Sequence, residues 1–176
     1  MSGYYIYLLS SLPMLHFGIR APFSSQRLHA MCRGLVSEDD MAAIEAATLD
    51  GIIDYRGPQA ILKKFRSFEM ALRNELVKIR ASRKHIDPLK YIRQDGESDI
   101  AINHFAINAY RATSMLEAER ILDRARWHTL DELTLGRYFE IANLVSFGIK
   151  LSILEKWDSI NSADNNTAAL ERYGIR

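Results

Sequence analysis

The sequence has one cysteine, no long apolar run and a net charge of only +1. Because Cys32 has no second thiol to pair with, it excludes an internal disulfide and favours a reducing compartment. We expect it to be a small buried hydrophobe. No apolar stretch reaches the about 20 residues that a membrane-spanning helix needs. Any membrane contact is therefore expected only through a partner.

Motifs for catalysis or cofactor binding are also missing. The nine glycines stand singly rather than in a phosphate-binding loop. Five histidines lie far apart in the sequence and form no zinc motif: His16, His29, His85, His104 and His128. We expect no enzyme activity, no metal, no cofactor and no small-molecule substrate.

One pair of acidic residues has the spacing of a functional site. Glu119 and Asp123 lie one helical turn apart, but arginines surround them at positions 120, 124 and 126. This pattern favours an ion-pair network over a catalytic acid with a raised pKa.

The first 24 residues combine tyrosines and leucines. They are not typical of a signal peptide, since the first basic residue is Arg20 and Pro13 interrupts the apolar stretch. Their spacing favours an amphipathic segment that packs on the protein. We expect the aromatic residues Tyr4, Tyr5, Tyr7 and, much later, Trp157 to lie mostly in the core.

Apolar residues at steps of three and four predict an all-α protein, a helical bundle of about six helices including two long ones. The first long helix follows Pro58 and ends near residue 84. The second begins at Thr129 or Asp131 and runs to Trp157. Shorter helices are expected to begin at Ser24 or Ser25, Ser37 and Ser114.

Gly136 and Gly148 fall inside the second predicted long helix. Each costs about 1 kcal/mol relative to alanine there, which indicates a close approach of helices.

Residues 1–161 are expected to form a single helical domain. The alternative is two lobes that meet near residues 85–98. Residues 162–176 begin with a polar run, which predicts a mobile C-terminal tail or the start of a further helix.

Charge is distributed unevenly along the chain. Residues 56–93 hold eleven basic and three acidic residues, a net +8, which leaves −7 for the rest. Such a division orients a partner during docking. The alternative is a solvated helix face neutralised by acidic neighbours. The candidate partner-binding residues are Lys63, Lys64, Arg66, Arg73, Lys78, Arg80, Arg83 and Lys84.

Two stretches carry a resemblance. Residues 4–40 have a Tyr-rich start, a Ser-Leu-Pro triplet, a Pro-Phe-Ser triplet and a helix with Cys32, and residues 116–157 contain two further helical patterns. Both resemble an uncharacterised bacterial family that is encoded alongside subunits of V-type (archaeal-type) ATPases. The helical pattern is more distantly similar to the C subunit that caps the central stalk of those machines.

This resemblance implies a non-catalytic subunit or accessory adaptor of a V-type ATPase, which links the central rotor stalk to the membrane ring during proton or sodium transport. The implied partners are the rotor and membrane-ring subunits. The implied location is cytoplasmic, peripheral to the inner membrane through the ATPase complex.

Two other functions stay open. The chain could be a transient assembly factor of the same ATPase. It could also bind nucleic acid through the basic helix at residues 63–84, although its pI of 7.9 is low for that class and no reader motif is present.

Overall fold

The computed structural model describes residues 5–93 and 99–172. Helices make up 71% of the described residues, which contain no strand, and this confirms the all-α prediction. The described helices are α1 (Ile6–Ser11), α2 (Ser25–Cys32), α3 (Glu38–Glu45), α4 (Gly51–Asp54), α5 (Ala60–Lys84), α6 (Ile100–Arg111), α7 (Met115–Thr134) and α8 (Ile141–Arg172). The short helices α1 and α4 account for the excess over the predicted six.

None of the described helices combines the length and the apolar composition needed to cross a membrane.

Serine caps begin three of these helices, as the sequence predicts. The hydroxyl oxygens of Ser24, Ser37 and Ser114 each accept the backbone N–H three residues further on, at 3.3, 3.2 and 3.1 Å. Each bond satisfies one of the amide groups that a helix leaves without a partner in its first turn.

The chain divides into two compact units. Unit 1 consists of Met1–Gly57 and Arg137–Arg176, and unit 2 of the continuous segment Pro58–Gly136 between them. The alternative junction considered near residues 85–98 falls within unit 2, and its residues 94–98 lie outside the described part of the chain.

In unit 1, α8 packs against α2 and α3. Its apolar side chains are buried on nearly every side, including Leu144, Val145, Leu151 and Ile153. This is the burial pattern of a helix at the centre of a bundle. The rings of Phe23 and Phe147 stack with their centroids 5.9 Å apart.

In unit 2, α5 and α6 run parallel. Glu75 bonds Asn103 near the start of α6, and Arg83 bonds Tyr110 near its end, so the sequence offset stays at 28 and 27 residues. Helix α7 follows α6 after a three-residue connection and packs back against it. The buried core of these helices contains Ala71, Leu72, Ile102, Ala106, Ala109 and Leu122.

Parallel neighbours require a connection that runs back along the bundle. After α5 the chain turns at His85, in left-handed geometry with φ of 52°. Residues 86–93, which we call the return segment, then pass back along α5 until Arg93 bonds Asn74. They include a single 3₁₀ turn, Pro88–Lys90.

The prediction for the second long helix is partly wrong. No break occurs at residues 129–131, because α7 continues to Thr134, and α8 begins only at Ile141. Gly136 and Phe139 interrupt the helices between them, with φ of 76° and 69°. Both lie in the left-handed region that a right-handed helix cannot include. At the other end, the helical backbone continues through residues 162–167 to Arg172.

The two glycines consequently have different roles. Gly136 provides a positive φ in the turn, so the predicted close helix approach is wrong there. Gly148 lies within α8, where an added Cβ would come 3.0 Å from the Cβ of Ala47. The close approach predicted at Gly148 is confirmed.

Gly148 and Ala47 are therefore expected to be energetically coupled. Alanine is favoured over glycine by about 1 kcal/mol inside a helix. Gly148→Ala should stabilise an Ala47→Gly variant by about that amount, and the wild type by less, because only the variant has room for the new methyl group. Urea unfolding of the four proteins measures the coupling. Equal effects in both backgrounds would contradict the close contact.

Candidate functional site

Helix α5 presents most of the predicted basic residues to solvent. Lys63, Lys64, Lys78, Arg80, Arg83 and Lys84 are exposed, and Arg66 and Arg73 are partly buried. We call these eight residues the basic surface of α5. With 25 residues, the helix is about 37 Å long.

The basic surface is not one uniform patch. Arg66, Arg73 and Arg80 are seven residues apart and Lys84 follows four later, so these four form a row along one side of the helix. By the same geometry, Lys63 and Lys64 occupy other directions near the start of the helix. The structure therefore brings half of the predicted residues into one row.

Acidic neighbours neutralise some of these charges. Arg73 pairs with Glu69 at 3.2 Å, and Lys78 with Glu75 at 2.7 Å, within α5 itself. Lys63, Lys64, Arg80 and Lys84 form no ion pair with any described residue. Neutralisation by acidic neighbours is therefore seen for Arg73 and Lys78, and these four cations have no such pair among the described residues.

Arg83 makes a different kind of contact. Its guanidinium donates to the hydroxyl of Tyr110 at 2.8 Å and lies 5.9 Å from the centre of that ring. The contact combines a hydrogen bond with a cation–π interaction. It fixes the end of α5 beside the end of α6.

A buried charge cluster lies between α5 and α7. The guanidinium of Arg126 donates to Glu69 at 2.8 and 3.0 Å and to Asp123 at 2.7 Å. Both carboxylates are fully buried, while Glu119 joins from the edge at 3.3 Å. The ion-pair network predicted around Glu119 and Asp123 is confirmed.

Glu69 is the member of the cluster that sequence reasoning missed. It lies 57 residues before Arg126, so no local pattern shows the pairing. The one available signal is its spacing, four residues after Phe65 and three before Leu72, which places it on the apolar stripe of α5.

The electrostatics of the cluster favour the charged forms of Glu69 and Arg126. Burial disfavours the ionised form of Glu69, but hydrogen bonds and charge from Arg126, together with Arg73, outweigh it and lower the pKa of Glu69. Burial likewise opposes the charge of Arg126, and Glu69 and Asp123 outweigh it, raising the pKa of Arg126. Groups held in one protonation state are suited to structural work rather than to proton transfer.

A second buried glutamate in α5 is also engaged. Glu75 accepts from Lys78 at 2.7 Å and from the side-chain amide of Asn103 at 2.9 Å. It therefore ties α5 to α6, as Glu69 ties α5 to α7.

In unit 1, two carboxylates of α8 hold the segment before α2. Glu155 accepts the backbone N–H of Ser25 at 2.9 Å and also bonds its hydroxyl. Asp158 accepts the backbone N–H of Ala21 at 2.9 Å. A shallow cleft of about 660 Å³ lies beside them, lined by Arg20, Phe23 and Ser24. The carboxylates of Glu155 and Asp158 already accept hydrogen bonds from the backbone, so we interpret the cleft as a result of packing within unit 1.

The N-terminal aromatic residues have mixed outcomes. Trp157 is buried as predicted, and Tyr5 is half-buried with its hydroxyl donating to Asp40. Tyr7 is 93% exposed, so its prediction is wrong: the residue that α1 buries is Leu8, and Tyr7 lies on a different side of the helix. Tyr4 lies outside the described residues.

Neither Cys32 nor the described histidines belong to a group that could bind a metal ion. Cys32 is fully buried, as predicted, and burial raises the pKa of its thiol. Among the described residues, no group of three or more histidine, cysteine or acidic side chains could hold a metal ion.

Comparison with known proteins gives a match to a family model. Residues 105–168, which include most of α6, all of α7 and much of α8, match the model of a family described as "Protein of unknown function (DUF2764)". No curated protein and no solved structure shows significant similarity to the chain.

The buried charge cluster gives a stability prediction. Arg126→Met leaves the carboxylates of Glu69 and Asp123 buried without their main cation, which is expected to cost about 3–5 kcal/mol of the free energy of unfolding. Arg111→Met, an exposed arginine of the same unit, should change it by no more than about 0.5 kcal/mol. Urea unfolding compares the two. Similar small losses would show that the cluster contributes little.

The lowered pKa of Glu69 gives a pH prediction. Its ionised form adds stability above the ordinary pKa of 4.5, and this contribution is lost as the pH falls through the lower value of the folded state. The wild type should therefore exceed Glu69→Gln in stability by a constant amount at neutral pH, and by progressively less below 4.5. Thermal melts across this range test the prediction, with the exposed Glu45→Gln as control. A difference that does not change with pH would contradict it.

Proposed function

We propose that the chain is a non-catalytic subunit or accessory adaptor of a V-type ATPase, linking the central rotor stalk to the membrane ring. The observation that carries the proposal is the basic surface of α5, an about 37 Å helix on which Lys63, Lys64, Arg80 and Lys84 have no ionic partner among the described residues. Unpaired cations near both ends of a helix this long can orient a partner along it.

The packing of α5 supports a mechanical role. Glu69 and Glu75 tie the helix to α7 and α6 through buried polar contacts, in addition to the apolar core of unit 2. A helix held in this way transmits force without bending, because displacement would leave buried charges unpaired.

The choice of a V-type ATPase rests on the sequence resemblance alone. The family match at residues 105–168 includes the second stretch of that resemblance, residues 116–157. The partners we propose are the rotor and membrane-ring subunits, and the location is cytoplasmic and peripheral to the inner membrane. A transient assembly factor of the same ATPase is the alternative.

Recovery of the complex tests the proposal. A tagged full-length chain should capture rotor and ring subunits at near-stoichiometric levels from a native-source lysate at moderate salt, as identified by mass spectrometry. Lys63→Glu/Lys64→Glu should reduce that recovery about tenfold or more, because both cations become repulsive to an acidic partner.

A charge-matched control separates contact from general electrostatics. Arg33→Glu/Arg137→Glu makes the same change in net charge at two exposed residues of unit 1. It should leave recovery unchanged. Capture far below stoichiometric levels would favour the assembly factor, and capture of no ATPase subunit would overturn the proposal.

A further inference from the structure

The return segment carries three exposed apolar side chains. Leu89 is 75% exposed, Tyr91 60% and Ile86 45%. Scattered apolar side chains are normal on a protein surface, but three within six residues indicate an interaction site.

The return segment that carries these side chains is anchored to α5 at both ends. The N–H of Ile86 donates to the carbonyl of Ala81 at 3.1 Å, which anchors the start of the segment. At its end, the side-chain amide of Asn74 donates to the carbonyl of Arg93 at 2.7 Å and accepts its N–H at 3.0 Å. Asn74 is itself buried. The return segment is therefore held in place on α5, and we refer to it below as the platform.

Four exposed cations lie on the return segment or on the neighbouring turns of α5. Lys90 and Arg93 belong to the segment, and Arg80 and Lys84 lie on the adjoining turns of α5; all four are exposed. The one acidic residue between positions 80 and 93, Asp87, accepts the N–H of Leu89 at 3.0 Å. Apolar side chains and cations are thus presented together.

We propose that the return segment and the end of α5 bind the anionic headgroups of a membrane surface, with Leu89 and Tyr91 entering the interface. Lysine and arginine reach headgroup phosphates, and tyrosine and leucine occupy the boundary below them. Nucleic acid would satisfy the cations and stack on Tyr91, but it offers no apolar environment for Leu89 and Ile86. A lipid interface accepts all these groups without a shaped cavity.

Co-sedimentation with lipid vesicles tests this proposal on the full-length chain, with no ATPase present. Vesicles of phosphatidylcholine containing about 30 mol% phosphatidylglycerol should bind the protein at least tenfold more tightly than pure phosphatidylcholine, at about 0.1 M salt. Leu89→Gln/Tyr91→Gln should weaken that binding about tenfold, although both side chains are exposed and the fold should be retained. Circular dichroism melts check the fold.

Matched variants separate the platform from charge in general. Arg80→Glu/Lys84→Glu should weaken vesicle binding at least tenfold, whereas Lys63→Glu/Lys64→Glu, with the same charge change at the other end of α5, should weaken it less than about threefold. Met115→Gln, which removes another exposed apolar side chain of unit 2, should have no effect.

Three results would overturn the proposal: equal binding to both kinds of vesicle, full binding by Leu89→Gln/Tyr91→Gln, or binding to a uridine oligonucleotide without binding to vesicles. The proposed ATPase role does not enter this assay. Failure of one proposal therefore leaves the other standing.

Discussion

Unit 2 depends on a guanidinium buried between two helices. Arg126 uses three of its N–H groups on Glu69 and Asp123, at 2.7 to 3.0 Å. Such a pair is tolerated only when its geometry is satisfied, because each charge loses its hydration on burial. A shift of α5 along α7 by one residue would break it. The cluster also fixes which side of α5 faces α7, and therefore which side carries the basic row.

The helical content and its local signals could be predicted from the sequence. The caps at Ser24, Ser37 and Ser114 depend on residues three positions apart, and the apolar spacing of α5 shows which of its faces is buried. The acidic members Glu119 and Asp123 were also recognised, because the arginines that neutralise them are their neighbours in sequence. All of these are short-range patterns.

What could not be predicted depends on contacts between distant residues. Apolar periodicity identifies the buried face of a helix but not its neighbour, so neither the pairing of Glu69 with Arg126 nor the parallel arrangement of α5 and α6 was foreseen. The turn at Gly136 was missed for a related reason: a glycine within an apolar pattern fits both a close helix contact and a positive φ. The sequence identifies the basic residues of this surface, but only the structure shows which of them lie in one row along the helix.

Unit 2 is a continuous segment inserted between the two parts of unit 1. A ribosome therefore completes all of unit 2 before it makes α8. Until then Leu28 and Ala47, which α8 contacts around Gly148, lack the helix that covers them. In a newly made chain, the apolar side chains in the N-terminal part of unit 1 therefore stay uncovered while about 80 to 100 further residues are added. At ordinary elongation rates this takes several seconds. Folding of unit 1 thus depends on α8, which is made long after the helices that it covers.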